Sequence, residues 1–219
     1  LDVTEGTWMS LDVSPDGKTI AFDLLGDIYL LPIDGGDAQA VASGPAWDMQ
    51  PRFSPDGSAL AFTSDRNGAA NLWVMKADGS QPRAVSNEQF HTLNNPTWTA
   101  DGNYIAGRKH YTTWRSLGTG EIWIYHVTGG KGVPLVERRS QTLQKELGEP
   151  IFSADGKALY YSENVTPGDL FVYAQDSNKQ TFQIKRYDMA TGETSAAVSG
   201  NGGAVRATPS PDGRYIAFV

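Results

Sequence analysis

The four residues Ser14-Pro15-Asp16-Gly17, followed by the apolar stretch Thr19-Ile20-Ala21-Phe22, decide how the chain folds. In such a turn Pro presets the backbone, Asp accepts local hydrogen bonds, and Gly adopts the left-handed conformation that closes a hairpin. Related turns begin at Ser54, Thr99, Ser153 and Ser210, so successive copies are 40, 45, 54 and 57 residues apart. Repeats of this length are typical of propellers and solenoids.

Each turn is followed by two short apolar stretches with a second turn after them. In the second copy, Ala59–Phe62 is followed by Leu72–Met75, the turn Asp78-Gly79 and the short stretch Ala84-Val85. Stretches that are apolar on both faces are typical of strands covered on both sides. No segment has the sustained helical period that a helical solenoid needs. We therefore predict four strands per repeat in an antiparallel meander, which is one blade of a β-propeller.

The predicted fold is all-β, a partial propeller with four complete blades and the start of a fifth. We place the blades at residues 7–42, 47–86, 94–136 and 148–199, and the incomplete one at 205–219. A chain that stops after the second strand of a blade leaves an unpaired strand edge. We therefore expect an open arc, completed by the remainder of a longer polypeptide or by another copy of the chain.

Composition excludes several classes of function. The 219 residues contain 18 Lys and Arg against 25 Asp and Glu, a net charge of −7 that disfavours nucleic acid as a partner. There is no cysteine, so disulfides, thiolate metal sites and cysteine nucleophiles are excluded. No stretch has the roughly 18 apolar residues of a membrane-spanning helix, so we expect no membrane span.

Catalytic and metal motifs are missing from the sequence. The three histidines, His91, His110 and His126, form neither a His-x-His pair nor a His-Glu-x-x-His motif. Neither the Gly-x-Ser-x-Gly nucleophile motif nor the phosphate-binding loop ending in Gly-Lys-Ser/Thr occurs. We predict no catalytic residue, no metal and no cofactor within this chain.

The long connections of the meander fall at one end of the predicted propeller, and binding residues commonly lie on such loops. The residues four positions before each turn are all polar and are expected near the channel mouth at that end. They contact a ligand or line a water-filled channel, and the sequence leaves both interpretations open. These residues are Ser10, Gln50, Asn95, Glu149 and Arg206.

The insertion Lys109–Arg115 combines cations with aromatic side chains and contains His110, Trp114 and Arg115. Such a cluster can anchor a partner surface. It can equally fold onto its own scaffold, and the sequence does not decide between the two.

The chain resembles known propeller repeats. The turn with IAF after it and LWVMKADGS at 72–80 are similar to the repeats of TolB and the tricorn protease, which are WD40-like. A longer similarity, to the N-terminal propeller of large secreted bacterial proteins with a C-terminal amidohydrolase-family domain, covers nearly the whole chain. It is carried by EGTWMSLDVSPDGKTIAFDLLGDIYLLPIDGG at 5–36, WDMQPRFSPDG at 47–57, FTSDRNG at 62–68, RSLGTGEIWIYHVTGGKG at 115–132 and GGAVRATPSPDG at 202–213.

This resemblance implies an exported parent protein, periplasmic or secreted, whose metal-dependent chemistry belongs to another domain. We expect the chain to be a non-catalytic module that acts as a scaffold, binds a substrate or partner, or gates access to the hydrolase. The alternative is a TolB-like propeller that binds a peptide or protein at its long-loop face and has no attached enzyme. A third hypothesis assigns catalysis to the propeller itself, through Glu149 with Arg206 or through His110.

Overall fold

The computed structural model describes residues 3–111, 119–170 and 181–219. Within these ranges the chain forms eighteen β-strands and no helix. The strands form four sheets of four strands and one of two, and neighbouring strands in each sheet are consecutive in the chain and antiparallel. The predicted all-β partial propeller, with four complete blades and the start of a fifth, is confirmed. None of the described residues forms a helix long and apolar enough to cross a membrane.

The blades follow the order of the sequence. The first contains β1 (Leu11–Val13), β2 (Thr19–Leu24), β3 (Asp27–Pro32) and β4 (Gln39–Ala42). The second contains β5 (Met49–Phe53), β6 (Ala59–Ser64), β7 (Asn71–Lys76) and β8 (Arg83–Ala84). The third contains β9 (Thr92–Trp98), β10 (Tyr104–Tyr111), β11 (Thr119–His126) and β12 (Val133–Val136). The fourth contains β13 (Leu147–Phe152), β14 (Ala158–Asn164), β15 (Phe182–Asp188) and β16 (Thr194–Val198). The fifth contains β17 (Thr208–Pro209) and β18 (Ile216–Ala217).

The repeated turn has one geometry in all five blades. Its glycine has φ between 68° and 73°. The Ser or Thr hydroxyl donates to the turn aspartate over 2.5–2.7 Å, as Ser14 does to Asp16. The same hydroxyl oxygen accepts the N–H five residues later, as from Thr19 at 2.9 Å. The roles predicted for Asp and Gly in this turn are thus confirmed.

Blades pack face to face through buried apolar side chains. The first blade presents a trailing face of Ala21, Ile28 and Ala42, and the second covers it with a leading face of Phe53, Leu60, Phe62 and Met75. The same arrangement joins the second blade to the third and the third to the fourth. Strands covered on both sides in this way explain the continuous apolar stretches of the sequence.

Among the described residues, no other blade covers the leading face of the first blade. It corresponds to Val13, Ile20, Phe22 and Leu31 in the repeat, and Val13 is 42% exposed. Much of this face lines an apolar cavity of about 640 Å³, together with residues 3–6 and Met9.

The third blade differs from its prediction. Lys109–Arg115 was predicted to be an insertion between strands, but β10 continues through Lys109 and His110 to Tyr111, and β11 begins at Thr119. The strand extends this far because Lys109 folds onto the scaffold of its own chain, one of the two interpretations that the sequence left open. Lys109 is buried and paired with Glu88 at 2.8 Å.

Candidate functional site

The first strands of successive blades lie beside one another, and each complete blade after the first has a bulge at the predicted channel-mouth position. In each bulge two residues oppose one residue of the second strand, and the second of the two is proline. Proline suits a bulge because it cannot donate to the strand ladder. The three pairs are Gln50-Pro51, Asn95-Pro96 and Glu149-Pro150.

The backbone at these positions is left-handed although the residues are not glycine. Gln50, Asn95, Glu149 and Arg206 have φ of 58°, 54°, 54° and 58°, while Ser10 does not share this conformation. Non-glycine residues rarely adopt positive φ, and such strain persists only where surrounding contacts hold it. These four residues and Ser10 are called the rim residues below.

Hydrogen bonds from the neighbouring blade hold the rim. The buried Asp23 carboxylate accepts the N–H of Ser10 at 2.8 Å and the N–H of Gln50 at 2.6 Å. The Gln50 Oε1 accepts from the Thr63 hydroxyl at 3.1 Å and from the Asn95 N–H at 2.8 Å. The N–H groups of Gln50 and Asn95 are therefore each fixed by a side chain of the blade before them.

The last of these links joins the fourth blade to the fifth. The Ser162 hydroxyl donates to Glu149 Oε2 at 2.8 Å and accepts the N–H of Arg206 at 3.0 Å. Arg206 Nε also donates to Glu149 Oε1 at 3.0 Å, which forms an ion pair. The structure thus brings together Glu149 and Arg206, which the sequence had singled out as a pair.

Arg108 departs from the pattern of the second strands. It stands in the third blade where the other blades have Asp23, Thr63 and Ser162, all of which carry an oxygen. A guanidinium has five N–H donors and no acceptor, so Arg108 cannot bind a rim N–H as Asp23 does. Aligning the repeats in the sequence would have revealed this substitution.

Two glycines beside Arg108 are required for reasons of space. Neither Gly120 nor Gly148 has a positive φ, so backbone conformation does not explain them. A Cβ added to Gly120 would lie 2.0 Å from the Leu147 carbonyl oxygen and 2.6 Å from Arg108 Nε. A Cβ added to Gly148 would lie 2.6 Å from Arg108 Cδ. These glycines allow the arginine to lie directly against the backbone of the next blade.

A charged cavity of about 320 Å³ lies between the third, fourth and fifth blades. Its polar lining comprises Arg108, Glu146, Glu149, Ser162 and Arg206. Arg108 Nη2 is 3.4 Å from Glu146 Oε1, and the Nε–H of Arg108 has no partner among the described residues. The sequence analysis predicted Glu149 and Arg206 as binding residues but missed Arg108 and Glu146.

An aromatic cavity of about 240 Å³ lies beside the rim between the first two blades. It is lined by Trp8, Trp47 and the rim residues Ser10 and Gln50, with Asp23 between them. The Trp8 side chain is fully exposed and Trp47 is 51% exposed. Large exposed aromatic side chains are the common anchors of protein interfaces.

The remaining predicted binding residues lie elsewhere. Trp114 and Arg115 lie outside the described residues. His110 lies in β10, does not line the charged cavity, and has its pKa lowered by burial and by the nearby Arg108 charge. Within the described ranges, no three His, Cys, Asp or Glu side chains are grouped so as to hold a metal ion.

Comparisons with known proteins agree with this architecture. The chain is 35% identical over 92 residues to tricorn protease homolog 1 of Streptomyces coelicolor, which covers 42% of the chain and 9% of that protein. It is 28% identical over 200 residues to the uncharacterized peptidase YuxL of Bacillus subtilis, which covers 71% of the chain and 29% of the peptidase. The chain thus matches less than a third of the length of either relative.

Among solved structures, TolB from Acinetobacter baumannii superposes with a TM-score of 0.68 at 16% identity, over 96% of this chain and 46% of that one. At this identity the likeness concerns the fold alone. The family model of the TolB beta propeller domain matches residues 3–115, which is more than half of the sequence. The repeated turns, the face-to-face blades and this match together show that the chain belongs to the TolB beta propeller domain family.

Proposed function

We propose that this chain is a non-catalytic module that binds an extended polypeptide along its rim, as part of a larger exported hydrolase. The rim carries this proposal, because four successive blades hold a polar residue in the same left-handed conformation. Backbone strain of this kind is concentrated at ligand sites. A repeated, rigid row of polar groups suits a ligand that itself repeats, as a polypeptide backbone does.

The two cavities beside the rim support a polypeptide rather than a small uncharged ligand. The aromatic cavity offers the exposed face of Trp8, and the charged cavity offers two arginines and two glutamates. Binding sites commonly combine apolar surface for affinity with a few polar groups that fix orientation. An extended chain with mixed side chains can use both cavities at once.

Within a longer protein, such a module would orient substrates or restrict which of them reach a catalytic domain. The relatives named above are a tricorn protease homolog and a peptidase, both much longer than the matched segment. The sequence resemblance instead indicates an amidohydrolase-family parent, and a His-x-His motif in the attached domain would identify that class. Export to the periplasm or beyond is part of the same proposal.

The uncovered leading face of the first blade favours a further blade as its partner. In the three interfaces between complete blades, the equivalent face is buried by the trailing face of the preceding blade. The exposed Val13 and Leu11 are therefore expected to pack against another blade of the parent polypeptide, with a second copy of the chain as the alternative.

The likeness of the fold to TolB favours the second candidate function, a polypeptide-binding propeller without an enzyme. The sequence of the parent protein separates the two candidates, since only the first requires a catalytic domain. Both require the rim to bind a polypeptide.

Fluorescence anisotropy with labelled twelve-residue peptides, selected from a random library against the full-length protein, tests the rim directly. Asn95→Gly keeps the left-handed backbone but removes a rim side chain, and we expect it to weaken binding about fivefold or more, the loss of one hydrogen bond. Asn103→Gly, in the turn at the opposite end of the same blade, is the matched control and is expected to leave affinity unchanged. Equal affinities for both variants and the parent would contradict the proposal.

A further inference from the structure

We propose that Arg108 is the anion-binding residue of the charged cavity and that it binds a carboxylate of the polypeptide ligand. This inference rests on the proposed function, because it assigns one chemical group of that ligand to one residue. The carboxylate can come from the C-terminus of the peptide or from an Asp or Glu side chain.

The guanidinium of Arg108 is nearly buried, and its positive charge is only weakly paired with a carboxylate. Its side chain is 13% exposed, and its ion pair with Glu146 is a single contact of 3.4 Å to a carboxylate that is itself 53% exposed. Among the described residues its Nε–H has no hydrogen-bond partner. A buried cation without full pairing is costly, so an unpaired one at a cavity indicates a ligand of opposite charge.

Arg66 is a fully paired arginine of the same protein and serves as a comparison for Arg108. It donates from Nε to Asp48 Oδ1 at 3.2 Å and from Nη2 to Asp48 Oδ2, and the Asp48 side chain is fully buried. This two-pronged pair satisfies the fork geometry of the guanidinium. Arg108 has no such partner in the described chain, although it is less exposed than Arg66.

The arginine is also held in place before any ligand arrives. Gly120 and Gly148 allow its side chain to lie against the backbone, where a Cβ on either residue would come within 2.6 Å of it. A side chain that is fixed beforehand loses little entropy on binding. A carboxylate presenting both oxygens would compete well with the single long contact from Glu146.

The surroundings favour a carboxylate over a phosphate. Glu146 and Glu149 both line the cavity, and they repel a doubly charged anion more strongly than a singly charged one. Arg206 lies across the cavity with its side chain 73% exposed, so it has further donors available for the same ligand. The volume of about 320 Å³ suits the end or a single side chain of a peptide rather than a folded domain.

Three hexapeptides test the inference by competition with the labelled peptide on the full-length protein. They share the sequence acetyl-Gly-Ser-Ala-Gly-Ser-Ala and carry a free C-terminus, a C-terminal amide, or an amide with Glu in place of the central Ala. We expect the free acid or the Glu peptide to bind at least about tenfold more tightly than the neutral amide, the worth of a charge-assisted hydrogen bond. The tighter of the two identifies the source of the carboxylate.

Substitution of the arginine should remove this discrimination. In Arg108→Gln the acidic peptides are expected to bind no better than the neutral amide, whereas Arg214→Gln, at an exposed turn, should change nothing. If Arg108→Gln does not fold, Glu146→Gln carries the test. It retains the arginine and removes the competing carboxylate, so the acidic peptides should bind several-fold more tightly, and an unchanged affinity contradicts the inference.

The outcomes separate this inference from the proposed function. If all three peptides bind equally, Arg108→Gln has no effect and Asn95→Gly weakens them, the rim binds polypeptides but the carboxylate assignment is wrong. If propionate binds in an Arg108-dependent way while no peptide binds, the carboxylate site stands and the polypeptide-binding function is wrong. Absence of binding by propionate and by every peptide overturns both.

Discussion

The two ends of each blade differ in what is repeated. At the turn end both backbone and side chains recur, with glycine φ between 68° and 73° and a hydroxyl-to-aspartate distance of 2.5–2.7 Å in all five blades. At the rim end the backbone recurs, with φ of 54–58° in four blades, but the side chains do not. The equivalent position of the second strand, beside the rim, holds a carboxylate in the first blade and an arginine in the third.

Within one repeat, the turn end therefore serves folding and the rim end serves recognition. A turn that closes a hairpin needs the same chemistry every time, because the local hydrogen bonds are the same. A rim that binds an asymmetric ligand needs a fixed backbone with different groups at each step. The variation at Asp23, Thr63, Arg108 and Ser162 is therefore expected of a binding surface on a rigid scaffold.

The largest effect on stability is expected at Gly120, where the backbone of the next blade leaves no space for a side chain. Gly120→Ala would place a Cβ 2.0 Å from the Leu147 carbonyl oxygen, so the third and fourth blades must move apart. We expect a loss of about 3 kcal/mol in the free energy of unfolding, at the upper end for overpacking. Gly17→Ala, in a turn with open space but φ of 73°, should lower the free energy of unfolding by only about 1–2 kcal/mol. Urea denaturation measures both, and an equal or reversed order would contradict the geometry around Arg108.

A smaller effect on stability is expected from removing the hydrogen bonds by which Asp23 links the first two blades. Asp23→Ala removes the acceptor of two N–H groups, those of Ser10 and Gln50. Because both donors are left unpaired, it should lower the free energy of unfolding by about 2 kcal/mol. Asp23→Asn retains one oxygen and should cost about half as much. Asp37→Ala, an exposed acid in the same blade, serves as the control for loss of charge. A loss for Asp37→Ala as large as for Asp23→Ala would show that charge, rather than the link, is responsible.

Much of the fold could be predicted from the sequence because the turn chemistry is local. Ser, Pro, Asp and Gly impose the hairpin by contacts within five residues, so the recurrence from Ser14 to Ser210 was sufficient to find every blade. The extent of the strands was less predictable. Lys109 and Glu121 look solvated in the sequence, but they pair with Glu88 and Arg138, which come from distant positions in the chain.

The candidate site was only partly predictable for the same reason. The rim position was found by counting from each turn, which is a local rule, and Glu149 and Arg206 were found by it. Arg108 belongs to the second strand, and its importance depends on Gly120, Gly148 and Glu146, which other strands and another blade bring to it. The exposure of Trp8 likewise follows from packing that the sequence does not display.

The smallest effect is expected at the turn end, where it depends on pH. The Ser54 hydroxyl, with help from Ser58, lowers the pKa of Asp56 from its usual 3.8 to about 2. Because the pKa is lower in the folded state, the ionised aspartate stabilises the fold above about pH 4, and this stabilisation is lost as the pH falls toward 2.

Ser54→Ala removes the main cause of that lowered pKa, together with the hydrogen bond to the Ala59 N–H at 3.0 Å. We expect it to cost about 1 kcal/mol at pH 7. The difference from the parent protein should shrink as the pH approaches 2, because the parent then loses the ionised aspartate as well. Urea denaturation at pH 7, 4 and 2.5 measures this difference, with Ser43→Ala at an exposed position as the control. A cost that stays constant across these pH values would mean that the hydroxyl stabilises the turn through Ala59 alone, and the turn aspartates would then add nothing to the repeat beyond their place in the hairpin.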